Sequence, residues 1–459
     1  PLEATRGLDA TSDLFSPGYL TADLPGGGRQ AITAAVTHGP GASAGASARI
    51  RSAARRKRPP IYRETAAGLE RAMHQFIVKR GKFATVIAGY PWFLDWGRDT
   101  LIFCRGMIAA GLTETATAIL RQFAAFEQDG TLPNMIRGDD ASNRDTSDAP
   151  LWLFAACRDL IREGHADILE MTCGHRSRGE VLVDLARALV RGTPNGIVMD
   201  PASGLLFSPA HFTWMDTNHP AGSPREGYPI EIQALWHAAL ELLADIGAPA
   251  QETAWHALAD RVQASIGRLY FDSRRGYLAD CRHGRRGQAA EACPADDALR
   301  PNQLFAVTLG AVSDPRQAAR IVEACQTLLV PGAIRSLADR PVAFPLAIRR
   351  DGRLLNDPHH PYQGRYRGDE DNQRKPAYHN GTAWTWVFPS YCEALAMVYG
   401  ESGKRTGRAL LATAVDAMNS GCLGHIPEVR DGDAPHEDRG CDAQAWSVSE
   451  VYRVWRLLA

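Results

Sequence analysis

The sequence predicts a mainly α-helical protein, an (α/α)6 barrel that follows the tail of a β-domain. From residue 62 onward, apolar residues recur at helical spacing, which indicates a long series of amphipathic helices. Alternate helices in this series are preceded by polar and aromatic segments, whereas the others have plainer entries. Before this region, short alternating stretches flank the turn sequence PGGG at 25–28, a pattern that predicts strand, turn and strand.

The first part of the chain is predicted to contain strands and a linker within residues 1–50. A Gly/Ala/Ser-rich tract spans 39–48, and the basic run 55–58 ends in two prolines. Such composition is typical of linkers, and we interpret the basic run as solvated rather than as a nucleic-acid patch. The helical catalytic domain is then expected to span 59–459.

Twelve helices are predicted after the linker. The clearest lies at 228–247, where Ile232, Leu235, Ala239 and Leu242 fall on one apolar face. The predicted helices are 62–80, 99–110, 113–127, 148–163, 177–191, 228–247, 250–269, 301–312, 315–329, 376–400, 404–420 and 443–458.

The order of these helices predicts the barrel. If consecutive helices are antiparallel, the even-numbered helices all point in one direction. Their N-termini, together with the polar and aromatic segments before them, then gather at one end of the domain. Six inner helices of one direction, ringed by six outer helices, form an (α/α)6 barrel with a single mouth.

Composition excludes several classes of function. The chain has 459 residues, 45% of them hydrophobic and 22% charged, which is the balance of a globular protein with a sizeable core. With 51 Lys plus Arg against 52 Asp plus Glu, the chain lacks the basic excess that a nucleic-acid partner requires. No apolar run reaches the ~18 residues of a membrane span, so a membrane role is not expected.

The cysteine content indicates a reducing compartment, and the aromatic content suits the binding of sugars. The nine cysteines are scattered without a C-x-x-C pair, which argues against a zinc ribbon and favours reduced thiols in a cytoplasmic protein. Ten tryptophans and twelve tyrosines supply flat amphipathic rings that suit sugars.

Nine segments, spread in order over about 60–459, carry a family resemblance. They are AGYPWFLDWGRDT (88–100), GTLPN (130–134), SDAPLW (147–152), TWMDT (213–217), SPREGYPIEIQALWHAAL (223–240), RPNQLFAV (300–307), YHNGTAWTW (378–386), HIPEV (425–429) and GCDAQAWSVSEVYRVW (440–455). With these motifs the chain resembles the C-terminal α-glucosidase domain of glycogen debranching enzymes, the amylo-α-1,6-glucosidase module, and is similar to glucoamylase-type glycosidases.

The resemblance implies an (α/α)6 barrel preceded by a β-sandwich, whose last strands would be residues 1–50. Two positions depart from the family pattern. Asn380 stands where Gln is expected, and Thr385 stands where Pro is usual. These departures concern contacts around the sugar rather than the chemistry.

Two carboxyl groups are the candidates for catalysis, Asp216 and Glu428. Inverting glycosidases use one carboxylic acid to protonate the leaving oxygen and a second carboxylate to activate water. Asp216 lies between aromatic residues that would desolvate it and raise its pKa, and Glu428 lies in a loop that water can reach. The resemblance assigns the same roles, general acid for Asp216 and general base for Glu428.

Binding of the sugar is assigned mainly to the pair Arg98 and Asp99. A charged donor beside a charged acceptor can bind the vicinal hydroxyls of a terminal sugar, and the resemblance implies that this pair holds the terminal glucose. The further candidates for sugar contacts are Trp92, Asp95, Asn134, Asp148, Trp152, Trp214, Arg225, Glu226, His379, Gln444 and Trp446.

The sequence therefore predicts an exo-acting, inverting glycosidase that releases glucose from α-1,6 branch stubs of glycogen or a related α-glucan. Two carboxylates suffice for this chemistry, so neither a cofactor nor a metal is expected. The sequence leaves open an α-1,4-glucoamylase-like enzyme or another exo-α-glycosidase. A non-catalytic glucan-binding module is a further alternative.

Overall fold

The computed structural model describes residues 61–81, 83–217, 223–247 and 254–459. The strands and linker predicted within 1–50 lie outside these residues. The chain divides into two units between Glu64 and Thr65, and the helices from the second onward lie in the second unit. The predicted boundary at residue 59 stays a prediction.

Twelve α-helices occur in the described residues. They are α1 (Ile61–His74), α2 (Gly97–Ala109), α3 (Thr113–Ala125), α4 (Ala149–Arg162), α5 (Arg178–Arg191), α6 (Ile230–Asp245), α7 (Trp255–Leu269), α8 (Leu304–Thr308), α9 (Pro315–Gln326), α10 (Lys375–Tyr378), α11 (Phe388–Asp416) and α12 (Ala445–Leu457). Every predicted helix overlaps one of these.

Short strands lie between the helices. They are β1 (Ile77–Arg80), β2 (Phe83–Val86), β3 (Gly89–Tyr90), β4 (Asp95–Trp96), β5 (Met135–Ile136), β6 (Thr172–Cys173), β7 (Arg176–Ser177), β8 (Val198–Met199), β9 (Leu206–Phe207), β10 (Gly227–Pro229), β11 (Phe271–Asp272), β12 (Tyr277–Leu278), β13 (Cys281–His283), β14 (Leu329–Val330), β15 (Ala333–Arg335), β16 (Arg349–Arg350), β17 (Arg353–Leu354), β18 (Ala383–Trp384), β19 (Val429–Arg430), β20 (Asp438–Arg439) and β21 (Ala443–Gln444).

Most of these strands form two-stranded antiparallel ladders. One antiparallel sheet has five strands in the order β14-β15-β18-β19-β20. Within it, Trp384 of β18 is paired with Val429 of β19, so the chain just before β19 lies beside the segment that precedes α11.

Three predicted helices needed correction. The helix predicted at 62–80 ends at His74, because residues 77–80 pair as β1 with β2. The helix predicted at 301–312 is a short 3-10 turn followed by the five residues of α8. The helix predicted at 376–400 is interrupted, because residues 383–384 form the central strand of the five-stranded sheet.

The predicted break between the tenth and eleventh helices is present inside α11. Gly400 has φ +57° and ψ −134°, a left-handed conformation that glycine adopts without steric cost. Two helical segments therefore meet at this residue.

Six of the helices pack side by side in a cyclic series. Helix α2 contacts α4, α4 contacts α6, α6 contacts α8, α8 contacts α11, α11 contacts α12, and α12 returns to α2. Helices α3, α5, α7 and α9 pack on this series from other sides. One large hydrophobic cluster runs through these contacts.

Small residues allow the closest of these contacts. A Cβ placed on Gly106 of α2 would lie 2.6 Å from the Cβ of Ser449 in α12, closer than atoms can approach. Glycine at 106 thus lets α2 and α12 pack closely at Ser449. None of the helices in the described ranges is long and apolar enough to cross a membrane.

Candidate active site

Arg98, in the first turn of α2, connects the entries of three helices. Its side chain is 2% exposed. The Nε donates to Asp148 Oδ2 at 2.6 Å, Nη1 donates to Asp216 Oδ2 at 3.0 Å, and Nη2 donates to the Thr213 carbonyl at 3.0 Å. Because Asp148 precedes α4 and the Thr213–Asp216 segment precedes α6, one guanidinium holds together segments far apart in sequence.

The turn into α2 depends on a glycine and on a short ladder. Strands β4 and β5 pair Trp96 with Met135, and the Gly97 N–H donates to the Asn134 carbonyl at 2.8 Å. A Cβ on Gly97 would lie 2.1 Å from the Pro133 carbonyl oxygen, so only glycine fits here. Asn134 is thereby placed beside the start of α2.

Asp99 interacts electrostatically with both catalytic candidates. Its side chain is 5% exposed, and burial raises its pKa well above the usual value, against the opposing effect of Arg98. The charges of Asp216 and Glu428 raise the pKa of Asp99 further. Hydrogen bonds agree with this coupling: Arg98, next to Asp99, pairs with Asp216, and Gln444, which lies against Asp99, follows three residues after Cys441, the donor to Glu428.

Asp216 is partly open to solvent. Its side chain is 26% exposed, so it faces a space that a ligand can enter. Desolvation by the surrounding protein raises its pKa, although the Arg98 guanidinium acts to lower it. A raised pKa keeps the carboxyl group protonated to higher pH, as a general acid requires.

Glu428 is only 1% exposed, which corrects the expectation of a loop open to water, and two donors hold its carboxylate. Its Oε2 accepts from the Cys441 N–H at 2.8 Å, and its Oε1 accepts from the Tyr378 hydroxyl. A Cβ on Gly440, which has φ +71°, would lie 2.3 Å from Oε2. Glycine at 440 therefore leaves room for the carboxylate, whose position is set by the pairing of β18 with β19.

His379 is a buried imidazole with both nitrogens unpaired. It is 1% exposed, stacks on Trp384 with ring centroids 5.0 Å apart, and meets the edge of Trp214 at 5.2 Å. Neither ring nitrogen has a hydrogen-bond partner among the described residues. Burial, followed by the charge of Arg300, lowers its pKa well below the usual value, so the ring is neutral. A neutral ring offers one donor and one acceptor.

Two buried amides near Arg98 and Asp99 also have unsatisfied oxygens. Asn134 Oδ1 and Gln444 Oε1 lack a hydrogen-bond partner within the described part of the chain. Gln444 is placed by the pairing of β21 with β3, and its Nε2 lies 3.4 Å from Asp99 Oδ1. Buried polar atoms are normally paired, so both oxygens are available to a bound ligand.

Three of the four tryptophans predicted to contact sugar form a buried aromatic cluster. Trp446 stacks on Trp386 with centroids 4.5 Å apart, Trp214 meets Trp386 at 5.3 Å, and Trp152 packs on Phe305. Trp152, Trp214 and Trp446 are at most 4% exposed. Trp92 is more exposed and lies edge-on to Phe93.

Asp95 is engaged by protein partners on the far side of the turn into α2. Its oxygens accept from the Thr85 hydroxyl at 2.6 Å and the Thr100 hydroxyl at 3.3 Å, and Arg80 lies 3.5 Å away. These contacts fasten β2 to α2. Both carboxylate oxygens of Asp95 already have protein partners, so the predicted sugar contact of Asp95 stays a prediction.

Arg225 supports the site from behind. It forms buried ion pairs with Glu231 and Asp280, and its Nη1 donates to the Thr213 hydroxyl at 3.1 Å. The Thr213 carbonyl also accepts a hydrogen bond from Arg98. Arg225 therefore positions the segment that bears Asp216. The neighbouring Glu226 has an exposed side chain.

Metal ligation has no candidate group in the described residues. None of their His, Cys, Asp and Glu side chains form a cluster of three or more that could hold a metal ion. The polar groups of the site are instead three carboxylates around Asp99, one guanidinium, one neutral imidazole and two amides.

Comparison with known proteins assigns the family. A family model described as amylo-alpha-1,6-glucosidase matches residues 71–453, most of the chain. The chain belongs to the amylo-alpha-1,6-glucosidase family. No curated protein matches the chain.

Solved structures of glycosidases share the fold of this family member. A wild-type glycosidase is 14% identical with a TM-score of 0.56, covering 86% of this chain and 96% of that one. A GH63 mannosylglycerate hydrolase from Thermus thermophilus, in complex with glucose, is 12% identical with a TM-score of 0.55, covering 85% and 99%. A rhamnosidase from Klebsiella oxytoca with rhamnose bound is 13% identical with a TM-score of 0.51, covering 86% of this chain and 64% of that one. The chain thus has the helix-rich fold of (α/α)-type glycosidases.

Two residues near Glu428 were not among the predicted site residues, although Thr385 was named as a departure from the family pattern. Tyr378 donates to the Glu428 carboxylate, and the Thr385 hydroxyl lies 3.0 Å from the Glu428 carbonyl and 2.6 Å from Ser447 Oγ. Tyr378 directly precedes His379 in the motif YHNG, so its place in that motif could have indicated a role in the site. Thr385 replaces the proline usual in the amylo-alpha-1,6-glucosidase family, and its contact could be found only once the fold was known.

Proposed function

We propose that this chain is an exo-acting glucosidase that removes single α-1,6-linked glucose units from branch stubs of glycogen or a related branched α-glucan. The proposal is carried by two sets of contacts: Arg98 pairs with Asp216, and Gln444, which lies 3.4 Å from Asp99, is close in sequence to Cys441, the donor to Glu428. Family membership supports the glycosidase class. Buried polar atoms of Asn134, Gln444 and His379 have no partner among the described residues, which suits a ligand rich in hydroxyl groups.

The two carboxyl groups have different roles in the proposed mechanism. Asp216 donates its proton to the glycosidic oxygen, and its raised pKa and partial exposure support that role. Glu428 accepts a proton from water as the water attacks the anomeric carbon from the opposite side. The Tyr378 hydroxyl and the Cys441 N–H fix the orientation of its carboxylate. Attack by water inverts the anomeric configuration.

The terminal glucose is held by groups at the starts of α2 and α12. Asp99 accepts hydrogen bonds from vicinal hydroxyls, and Arg98, fixed by Asp148, sets the geometry beside it. The unpaired atoms of Asn134, Gln444 and His379 complete the contacts. A sugar that pairs all of these atoms recovers the free energy of leaving them unsatisfied, which is about 1–3 kcal/mol for each group.

We propose that the cyclic series of helix contacts is the inner ring of an (α/α)6 barrel. Its mouth is the end at which α2, α4 and α12 begin, where the site residues lie. Residues 1–50 are proposed to end a β-sandwich that precedes the barrel. A cytoplasmic location is also proposed, supported by nine cysteines that form no disulfide within the described ranges, eight of them buried.

The experiment is a pair of charge-removing substitutions with matched controls. In Asp216→Asn and Glu428→Gln, kcat/KM on a glucosyl-branched maltooligosaccharide should fall about 10²–10⁴-fold, because each removes a general acid or base. Asp351→Asn and Glu401→Gln make the same chemical changes at side chains that are 93% and 76% exposed, and should leave kcat/KM unchanged. Full activity in either site variant would contradict the assigned roles.

A panel of linkages and sugars separates this proposal from its alternatives. Hydrolysis of α-1,4-linked maltooligosaccharides in preference to α-1,6 stubs would favour a glucoamylase-like enzyme. The solved structures with this fold include enzymes named for mannosylglycerate and rhamnose, so α-mannosides and α-rhamnosides belong in the panel. Saturable glucan binding without hydrolysis of any substrate would favour a binding module.

A further inference from the structure

We propose that a second cavity, at the opposite end of the helices from the candidate active site, binds a small ligand that carries a phosphate group. The cavity has a volume of about 370 Å³. It is lined by the C-terminal parts of α2, α4 and α12, with the end of α8 and the early part of α11. Neither the sequence motifs nor the proposed glucosidase reaction uses it.

The position along the helices separates this cavity from the sugar site. The sugar site uses Arg98 and Asp99 at the start of α2, whereas the cavity is lined by Arg105, Ile108 and Ala109 of the same helix. At 1.5 Å per residue, Arg98 and Arg105 are roughly 10 Å apart along the axis. The two sites therefore lie toward opposite ends of α2.

The lining carries more positive than negative charge. Five arginines and three carboxylates face the cavity: Arg105, Arg158, Arg162, Arg453, Arg456, Asp159, Glu163 and Glu393. Glu450, which pairs with Arg453, reduces the excess of two lining charges to one, and this remaining positive charge favours an anion such as a phosphate monoester, whose charge is about −1.5 to −2 at neutral pH.

Two of these arginines are already fixed by protein carboxylates. Arg105 Nε lies 2.7 Å from Asp159 Oδ2, and Arg453 Nη2 lies 2.6 Å from Glu393 Oε2 and 2.7 Å from Glu450 Oε2. Both guanidinium groups are thus held rigidly in the wall. They provide a preorganised cationic surface rather than mobile side chains.

Arg158 is the residue that indicates an anion-binding site. It is only 9% exposed, and its Nε has no hydrogen-bond partner among the described residues. Burial lowers its pKa to about 10, which reflects a guanidinium that the surrounding carboxylates do not fully compensate. Leaving such a buried donor unpaired is costly, and phosphate oxygens match the forked geometry of a guanidinium.

The helix ends alone do not explain this arrangement. Arginines near helix C-termini interact favourably with the terminal carbonyl groups, which accounts for the exposed Arg162 and Arg456 at the rim. That interaction leaves the Nε of Arg158 unsatisfied. The cavity volume is at the small end of ligand pockets, so a monophosphate fits better than a nucleoside triphosphate.

The test is calorimetric titration of the full chain at fixed ionic strength with inorganic phosphate and, separately, with a hexose monophosphate. Arg158→Gln should weaken binding at least tenfold, and Arg162→Gln should weaken it several-fold. Arg274→Gln makes the same change at an exposed turn and serves as the control. Arg162 is exposed, so its variant keeps the test decisive if Arg158→Gln does not fold.

Saturable binding of either ligand that is lost in the cavity variants and kept in Arg274→Gln supports the proposal. Tighter binding of the hexose monophosphate than of inorganic phosphate would identify an organic phosphate as the ligand, and equal binding would identify the phosphate ion alone. Absence of saturable binding, or equal binding by all variants, overturns the proposal. Because glucosidase activity is not the readout, the result is distinguishable from failure of the proposed reaction.

Discussion

At the scale of single residues, Arg98 is the centre of the site. Each of its three nitrogens donates to a different acceptor: Asp148, Asp216 and the Thr213 carbonyl. Only a guanidinium can make all three contacts, because its donors lie in one fixed plane. The same residue acts electrostatically on Asp216, whose pKa it lowers against the effect of burial.

Removing the charge of Arg98 should therefore shift the pH profile. In Arg98→Gln, the pKa of Asp216 loses its opposing influence and rises, so the protonated form of the general acid persists to higher pH. We expect the alkaline limb of kcat/KM to move upward in pH, with a lower maximum.

Arg98→Lys keeps a positive charge near Asp216 and should move the alkaline limb less, although it loses the three-way contact. The measurement is kcat/KM against pH for the three proteins. An alkaline limb that stays in place in Arg98→Gln would contradict the assignment of Asp216 as the titrating acid.

At the scale of elements, short ladders bring the site residues together. Pairing of β4 with β5 places Asn134 beside α2, β21 with β3 places Gln444, and β18 with β19 places Glu428. Each ladder precedes or adjoins the start of an inner helix. The helices supply rigidity, and these ladders fix the side chains at their ends.

The contact between α2 and α12 gives a prediction about stability. A methyl group at Gly106 would overlap Ser449, so Gly106→Ala should lower the free energy of unfolding by about 1–3 kcal/mol. In α7, a Cβ on Gly267 would meet no atom within 4 Å, so Gly267→Ala should raise it by up to about 1 kcal/mol.

Urea denaturation of both glycine variants measures these changes. Because the two substitutions are chemically identical, opposite signs isolate the effect of the helix contact. Equal stability of the Gly106 and Gly267 variants would contradict the close packing of α2 on α12.

The helices were predictable from sequence because their apolar spacing is a local signal. The two-residue strands were not, because each exists only through its partner: residues 383–384 lie inside a helical pattern but pair with both β15 and β19. For the same reason Tyr378 was missed, since its contact with Glu428 spans fifty positions. Arg98 and Asp99 were found because their motif is contiguous.

At the scale of the whole molecule, the site brings several carboxyl groups together inside the protein. Asp99, Asp148 and Asp216 act on the guanidinium of Arg98, and Glu428 acts on Asp99. Burial and the neighbouring carboxylates raise the pKa of Asp99 in the folded state. A buried carboxyl group of this kind lowers the free energy of unfolding, and such destabilising groups are common in active sites.

Asp99→Asn should stabilise the protein at neutral pH. In the wild type, the unfolded chain loses the Asp99 proton above a pKa of 3.8 while the folded chain retains it, so stability falls as the pH rises through that window. Asparagine cannot ionise, so the difference in unfolding free energy between variant and wild type should grow from about pH 4 upward.

Urea denaturation at several pH values measures this difference, and the same variant should lose most of its glucosidase activity. A difference that is independent of pH would show that Asp99 is not buried with a raised pKa.

The central claim is that Asp216 and Glu428 act on one sugar with water between them. Proton NMR during hydrolysis of a glucosyl-branched maltooligosaccharide tests it most directly, because it detects both the release of glucose and its first anomeric form. We predict that β-glucose appears first and then equilibrates slowly with the α-anomer. Initial release of α-glucose, or no release of glucose, would contradict the account.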